Sequence, residues 1–578
     1  MNRFENFDPY IQEAMRSWSC PGVALAVVKG DEVIHQAVFG LRDVENQLPL
    51  TPDTRFAMAS VTKSFTALSV ALLVDEGKLD WDKPVREYMP EFILADAYVT
   101  QHVTVRDMLS HRTGLPRHDL AAWRLDISRA EFIKRMKHLK FSATFREKFQ
   151  YNNLMYYAAA YLVEKIAQQK WEDFMQARVF GPLGMSASNF RPEPPQAGQH
   201  TAKGYRVDRD QDGGAKGLIN MPFGKHTELS PGAAGALFST LADLIQWLKM
   251  HVNQGQVGDL RLVSAANLKQ NHLPQTVVPA GGYQEALMGT AISTYGMGWF
   301  IEPYQGSTII QHDGGVEGHT LIIGALPAEK IGVVVLTNIA NLPLPHVLMY
   351  ECIDRAMNLP EQDWNKKFHE IYDPFIVGEA KSKLTSAEEK VAAAPPTHPL
   401  ETYLGQFKAD GYPDFAVRRN GEQLQACSVG SLDWSTFRHY HYDVFEWYLS
   451  DFDAWVKVRY LTNDQGDLDS ISLPMEPSVE NLVFTRTQPE LDAGLTAALL
   501  GVYHTSVEGL AFTISAHEGK FYVIQSGGAP QEIKPYKVSA EWVGFRLKQN
   551  RFDFERGAQG IQRLVLKTPD MTLEAVRK

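Results

Sequence analysis

Apolar and polar positions along this chain follow two different periods, and the switches between them outline its architecture. Residues 8–19 carry a helical repeat. Two apolar runs, 23–28 and 33–39, then flank Lys29-Gly30-Asp31-Glu32 and predict a β-hairpin. From Ser60 to Glu76 the period is helical. Phe65, Leu68, Leu72 and Leu73 recur at helical spacing and Gly77 is the stop, which puts Ser60 at a helix N-terminus. Helical patterns continue over 104–109, 128–138, 154–167, 171–179 and 240–251, so the middle is predominantly helical. Strand patterns return at 298–302, 308–312, 320–326 and 331–338, and a helix follows over 343–357. A helical middle with strands from both ends predicts one α+β domain, residues 1–360, whose termini share an antiparallel sheet with helices packed on it.

Past residue 360 the pattern changes. Residues 361–396 read as a linker, exposed over 381–396, where Lys-Ser-Lys, Glu388-Glu389-Lys390 and Ala-Ala-Ala-Pro-Pro occur. Short alternating segments at 415–418, 455–460, 510–514 and 520–524, separated by Gly and Asp turns, then predict all-β structure. A degenerate repeat runs through it. Tyr403-Leu404-Gly405-Gln406-Phe407 corresponds to Leu500-Gly501-Val502-Tyr503, Asn420-Gly421 to Glu518-Gly519, and 467–473 to 560–566. Two small antiparallel β-barrels in series, 397–490 and 494–578, are expected, with one larger sandwich as the alternative.

Composition narrows the partners. A formal charge of −11 with no Lys/Arg run argues against nucleic acid and anionic membrane, and favours a small-molecule or short-peptide substrate. Cys20, Cys352 and Cys427 are widely spaced, which suggests buried, inert thiols rather than disulfides or a metal site. The start, Met1-Asn2-Arg3-Phe4, lacks the features of a secretory signal, and no apolar run reaches transmembrane length, so a cytoplasmic location is expected. No cofactor is implied, and a homo-oligomer is left open.

The chemistry begins at Ser60-Val61-Thr62-Lys63. One helical turn brings the lysine nitrogen within reach of the serine oxygen, yet about one such match arises by chance in a chain of this length. Two later groups add weight. Tyr151-Asn152-Asn153 precedes the helix at 154, and a tyrosine beside a lysine can share its proton more readily, so Tyr151 is a candidate base toward Ser60. The bland alternative makes Tyr151 a packing residue and Asn153 an N-cap. His312-Asp313-Gly314-Gly315 lies at a strand end, where glycines let backbone approach a ligand and a free N–H can hold an oxyanion; the bland alternative is a glycine turn.

Taken together, Ser60-x-x-Lys63, Tyr151-x-Asn153 and His312-x-Gly314 resemble the three motifs of the penicillin-recognising serine hydrolases, the family of β-lactamases and D,D-transpeptidases. The resemblance continues through Thr104-Val105-Arg106-Asp107-Met108-Leu109-Ser110-His111-Arg112-Thr113-Gly114-Leu115, Pro182-Leu183-Gly184-Met185, Gly235-Ala236-Leu237-Phe238-Ser239-Thr240 and Tyr295-Gly296-Met297-Gly298-Trp299. It implies a helical domain beside an α/β domain with a five-stranded antiparallel sheet, and a site in the cleft between them. It further implies Ser60 as nucleophile, Lys63 and Tyr151 as its activators, and the N–H groups of Ser60 and Gly315 as oxyanion hole. Gly314 and Gly315 would line the substrate, Asn153 would bond Lys63 or the substrate amide, and His312 would assist Tyr151 or bind substrate.

The third motif begins with histidine where β-lactamases commonly have lysine, which shifts the expectation away from β-lactams. With two trailing barrels, the architecture resembles D-aminopeptidases, in which a loop of the last barrel limits access to the site; residues 503–511 or 525–534 are the candidates here. The expected activity is a peptidase or amidase, with a short-chain esterase as the rival, β-lactamase or D,D-carboxypeptidase action further behind, and a retired ligand-binding sensor as the non-enzyme reading. His439, His441 and Asp443 alternate onto one strand face, a spacing that invites a metal, but local hydrogen bonding is favoured and no metal is expected. His102, His111 and His118 read as surface or packing residues, and Asp80-Trp81-Asp82 as a solvated turn.

Overall fold

Strand Gly22–Lys29 is buried along all but its last residue, so it must lie inside a sheet. In the computed structural model it pairs antiparallel with Glu32–Asp43 on one side and Ile331–Thr337 on the other. The whole sheet runs Thr276–Val278, Ser293–Tyr295, Phe300–Tyr304, Ser307–Val316, His319–Leu326, Ile331–Thr337, Gly22–Lys29, Glu32–Asp43 and Leu48–Pro49. It has nine strands rather than five, because short strands extend both edges. The structure describes residues 3–122, 125, 127–191, 193, 200–210, 212–223, 232–279, 283–289, 292–385, 390–429, 434–449, 454–464, 466–488, 491–538, 541–557 and 560–577. Met1, Asn2, Glu388 and Glu389, read from sequence, lie outside these.

Period-two alternation sends successive residues of each strand to opposite faces. Val23, Leu25, Val27, Val333 and Val335 pack with helices Phe7–Ser17 and Leu344–Met357. Ala24, Ala26, Val28, Val334 and Leu336 pack on the other face with helices Thr62–Asp75, Asn153–Ala167 and Leu241–Val252. Sequence reasoning missed three β elements in the helical middle: the hairpin Gly204–Arg209 with Ala215–Met221, the pair Gln256–Val257 with Leu260–Arg261, and the small sheet of Thr54–Ala57, His200–Thr201 and Phe238–Thr240. Within 361–396 the chain forms helix Trp364–Thr385, anchored where the buried Trp364 indole donates to Asp354 Oδ2 at 2.8 Å.

Each C-terminal unit is a closed eight-stranded barrel, Gly405–Lys408 to Leu482–Arg486 and Gly501–Thr505 to Thr572–Arg577, which rules out the single sandwich. Aromatic rings fill the interiors: Phe407, Phe415, Phe437, Phe445 and Tyr460 in the first, Tyr503, Phe521, Phe545 and Phe554 in the second. The repeat has a physical basis. Gly405 and Gly501 open the first strands at φ +135° and +145°, and a Cβ at either would meet the last-strand arginine, Arg486 at 2.6 Å or Arg577 at 2.9 Å. The first barrel shares its core with the helical region, whereas the second has its own.

His439 and His441 are separated by a register shift, and Tyr442 turns at φ 47°, so Asp443 lies in the turn and not on their face. Each is used locally: His439 Nε2 meets the Tyr442 carbonyl, His441 Nδ1 accepts from Val391 N, and Asp443 accepts from Thr397 and Tyr403. Among the described residues no cluster of three metal-ligating side chains occurs, and no helix is long and apolar enough to cross a membrane. All three cysteines are buried and unpaired.

Asp107 ties the helical region together. Fully buried, it closes the capping box with Thr104 and accepts from Arg112 Nε at 2.6 Å and Arg146 Nη2 at 2.7 Å, contacts that hold its carboxyl below the usual range against the opposing effect of burial. Asp107→Ala leaves two arginines without their carboxylate and is expected to cost about 3–5 kcal/mol, read as a lowered urea midpoint.

Candidate active site

Ser60 lies in the 3-10 turn Ala59–Val61, which feeds helix Thr62–Asp75. Ala59 adopts φ 43°, and Thr62 Oγ1 donates to the Ala59 carbonyl at 2.6 Å, fixing the turn from within. One turn on, Lys63 is wholly buried, its Nζ 3.1 Å from Ser60 Oγ and 2.9 Å from the Ala234 carbonyl. Burial, reinforced by the nearby Arg117 charge, holds its pKa well below the ordinary lysine value despite Asp119 and Asp313. In its neutral form, which burial favours, the amine has two hydrogens and one lone pair. It can donate to Ala234 and still accept the Ser60 proton.

Tyr151 closes the other side. Its ring lies 4.7 Å from Lys63 Nζ, and Ser60 is among the groups that act on its hydroxyl. Burial pushes its pKa up, outweighing the opposing effects of Ser60 and Arg117, so the phenol stays protonated. The sequence expectation of an easily ionised tyrosine therefore changes: the burial that lowers the Lys63 pKa also disfavours a phenolate.

The third wall is strand Ser307–Val316. It pairs with Phe300–Tyr304 only as far as Gln311, while its other edge stays paired through Val316. His312 to Gly315 thus present an edge without a strand neighbour toward the Ser60 turn, still within the strand; the turn comes later, at Glu317 and Gly318. Gly314 has to be glycine, because a Cβ would lie 2.6 Å from the Met58 carbonyl and 3.1 Å from Ser60 N. Gly315 is exposed. Gly298, at φ +82°, presses on Lys63 in the same way, a Cβ there meeting its carbonyl at 2.8 Å.

Two expected contacts differ. Asn153 Nδ2 donates to Asp119 Oδ1 at 2.8 Å, not to Lys63, and the N-cap of helix Asn153–Ala167 is Asn152. His312 is committed as well. Its Nδ1–H donates to the Asp313 carbonyl at 2.6 Å, Nε2 accepts from the Tyr295 hydroxyl at 3.0 Å, and its ring is 6.4 Å from that of Tyr151. Burial lowers its pKa to about 4, so it carries no charge near neutrality.

Of two further neighbours, sequence reasoning read His111 as a surface or packing residue and missed Arg117. His111 is buried 4.4 Å from the Tyr151 ring and its Nδ1 accepts from Asn152 N at 3.0 Å. Arg117 lies over Tyr151, 5.1 Å from the ring centroid, and its Nε donates to Asp119 Oδ2 at 2.7 Å. The available signal was position: both follow the motif-rich segment 104–115 or sit inside it. The first barrel grips the loop carrying Arg117 and Asp119. His118, between them, meets Tyr412 Oη at 2.5 Å through Nδ1, and its N–H donates to Glu476 Oε2 at 2.9 Å. The expected candidates, 503–511 and 525–534, contain the hairpin turns of the second barrel between Gly501–Thr505 and Ala511–His517 and between Lys520–Gln525 and Gln531–Val538.

A serine–lysine–tyrosine cluster built on a buried lysine, beside an unpaired strand edge and on a mixed sheet-and-helix frame, defines a serine hydrolase of the β-lactamase and transpeptidase fold. The chain belongs to the beta-lactamase family: the family model of that description matches residues 7–351. A second model, a domain of unknown function designated DUF3471, matches 389–486, the first barrel. The unguisins hydrolase of Aspergillus campestris is 28% identical over 434 residues, 72% of this chain and 77% of that protein. Among solved structures, the octameric penicillin-binding protein homologue from Pyrococcus abyssi aligns at TM-score 0.54 and 25% identity, over 83% of this chain and 99% of that one. SurE aligns at TM-score 0.51 and 18% identity over 84% and 99%, a likeness of fold.

Two measurements check this geometry. His312 and His319 are both buried with pKa values lowered to about 4, so the unfolded chain takes up protons near pH 6.5 that the folded one refuses. Stability is therefore expected to fall as pH drops from about 6.5 toward 4, as a decreasing thermal midpoint, and His319→Gln should flatten that slope. Glu476→Gln in the first barrel should lower turnover several-fold with helical content by circular dichroism unchanged.

Proposed function

We propose that the chain cleaves amide or ester bonds through an acyl-enzyme on Ser60, with short peptides or amino-acid amides as substrates, in the manner of a D-aminopeptidase. The observation that carries this reading is Ser60 Oγ held 3.1 Å from a buried lysine amine that itself lies 4.7 Å from the Tyr151 ring. The neutral Lys63 amine takes the Ser60 proton as Oγ bonds to the carbonyl carbon. The oxyanion accepts from the N–H groups of Ser60 and Gly315 at the open strand edge. As the carbon–nitrogen or carbon–oxygen bond breaks, the Tyr151 hydroxyl protonates the leaving group and recovers a proton from the Lys63 ammonium. Water then attacks the acyl ester, its proton returns through the same pair, and Ser60 is restored.

Asn153 acts through Asp119 and His312 through Tyr295, both as positioning residues. The amide preference is supported by the two trailing barrels. The same nucleophile serves esters, which keeps a short-chain esterase as the rival. The Aspergillus campestris relative, named a hydrolase, supports bond cleavage over a ligand-binding role. Homo-oligomerisation belongs to the same reading, supported by the octameric Pyrococcus abyssi homologue.

A fluorophosphonate probe is expected to label Ser60, with labelling and turnover lost in Ser60→Ala by about a thousandfold or more. Full labelling of Ser60→Ala would overturn the assignment. D-alanine p-nitroanilide should be cleaved alongside p-nitrophenyl acetate; turnover of the ester alone would favour the esterase, and nitrocefin as the best substrate a β-lactamase.

A further inference from the structure

The walls of this site hold several cationic residue types, yet most are neutralised by burial. Lys63 and His111 are buried and depressed well below their ordinary values, and His312 is lowered to about 4. Arg117 differs. Its side chain is 54% exposed, and a guanidinium keeps its charge throughout the working pH range. Asp119 engages it through Nε, and among the described residues its two Nη groups make no hydrogen bond. The fork that binds carboxylates in a bidentate manner is thus left open.

The mounting of Arg117 is rigid. Asp119 is held on its other oxygen by Asn153, Asn152 Nδ2 donates to the Leu115 carbonyl at 3.1 Å, and His118 is clasped by Tyr412 and Glu476 of the first barrel. The guanidinium lies 5.1 Å from the Tyr151 ring centroid. In the reading given above, Tyr151 protonates the leaving group, so the departing atom lies against this wall. We infer that Arg117 binds a carboxylate carried by the leaving group, so that the site favours acyl compounds whose departing part is a short carboxylate, such as a C-terminal amino acid. This rests on the serine-hydrolase reading and adds the class of leaving group. It also gives the first barrel a task, since its loops set where the carboxylate is received.

Two aryl esters that differ only in that charge provide the test: 3-carboxyphenyl acetate and its methyl ester, with wild type, Arg117→Gln and Arg117→Lys. Arg117→Gln is expected to lower kcat/KM for the carboxylate ester by about tenfold or more beyond whatever it does to the methyl ester, with that excess mainly in KM. Arg117→Lys should recover part of the loss, and the difference between esters should shrink in high salt. Equal losses on both esters would mean that Arg117 supports Tyr151 or the loop instead, and no loss on either would equally overturn the inference. If wild type cleaves neither ester and Ser60 takes no fluorophosphonate, it is the serine reading that has failed. A thermal midpoint for Arg117→Gln near wild type separates lost recognition from unfolding.

Discussion

A lysine amine with no exposed surface, 3.1 Å from Ser60 Oγ and 2.9 Å from the Ala234 carbonyl, is the constraint around which the site is built. Burying an ammonium without a paired carboxylate costs several kcal/mol, and that cost favours the neutral amine and pulls its pKa down. Neutrality supplies the lone pair that a hydroxyl needs as proton acceptor. The same apolar surroundings keep Tyr151 protonated and His312 uncharged. One dielectric environment therefore acts on all three groups, lowering the Lys63 and His312 pKa values and raising that of Tyr151.

Four separate parts of the chain have to meet to make that environment. The Ser60 turn, the loop before helix Asn153–Ala167, the open edge of Ser307–Val316 and the segment containing Gly298 converge at distances that only glycine tolerates at Gly314 and Gly298. The first barrel adds a fifth contact through Tyr412 and Glu476, and its core is continuous with that of the helical region. The barrel thus behaves as a wall of the catalytic unit, while the second barrel, with a core of its own, stands further from it in energetic terms.

Much of this was legible in the chain. The helix after Ser60, the hairpin at 23–39, the strands around 300–338 and the repeat behind the two barrels all follow from period and turn chemistry, because each is governed by residues close in sequence. The hairpin Gly204–Arg209 with Ala215–Met221 escaped because it is largely half-exposed and lacks an apolar run. The shared face of His439, His441 and Asp443 failed because a register shift and a left-handed Tyr442 interrupt the alternation. Asn153 and His312 were expected to meet Lys63, Tyr151 or substrate; their partners in the structure are Asp119 and Tyr295, pairings between distant segments that no local pattern encodes.

By itself, then, the sequence determined the elements that present the motif residues: Ser60 and Lys63 one helical turn apart, Tyr151 before a helix, glycines at a strand. Those are short-range facts, set by backbone period and side-chain size. Only the tertiary structure decided protonation states, hydrogen-bond partners and the open guanidinium of Arg117. Those depend on burial and on contacts between segments hundreds of residues apart, such as His118 with Glu476, which no local pattern encodes.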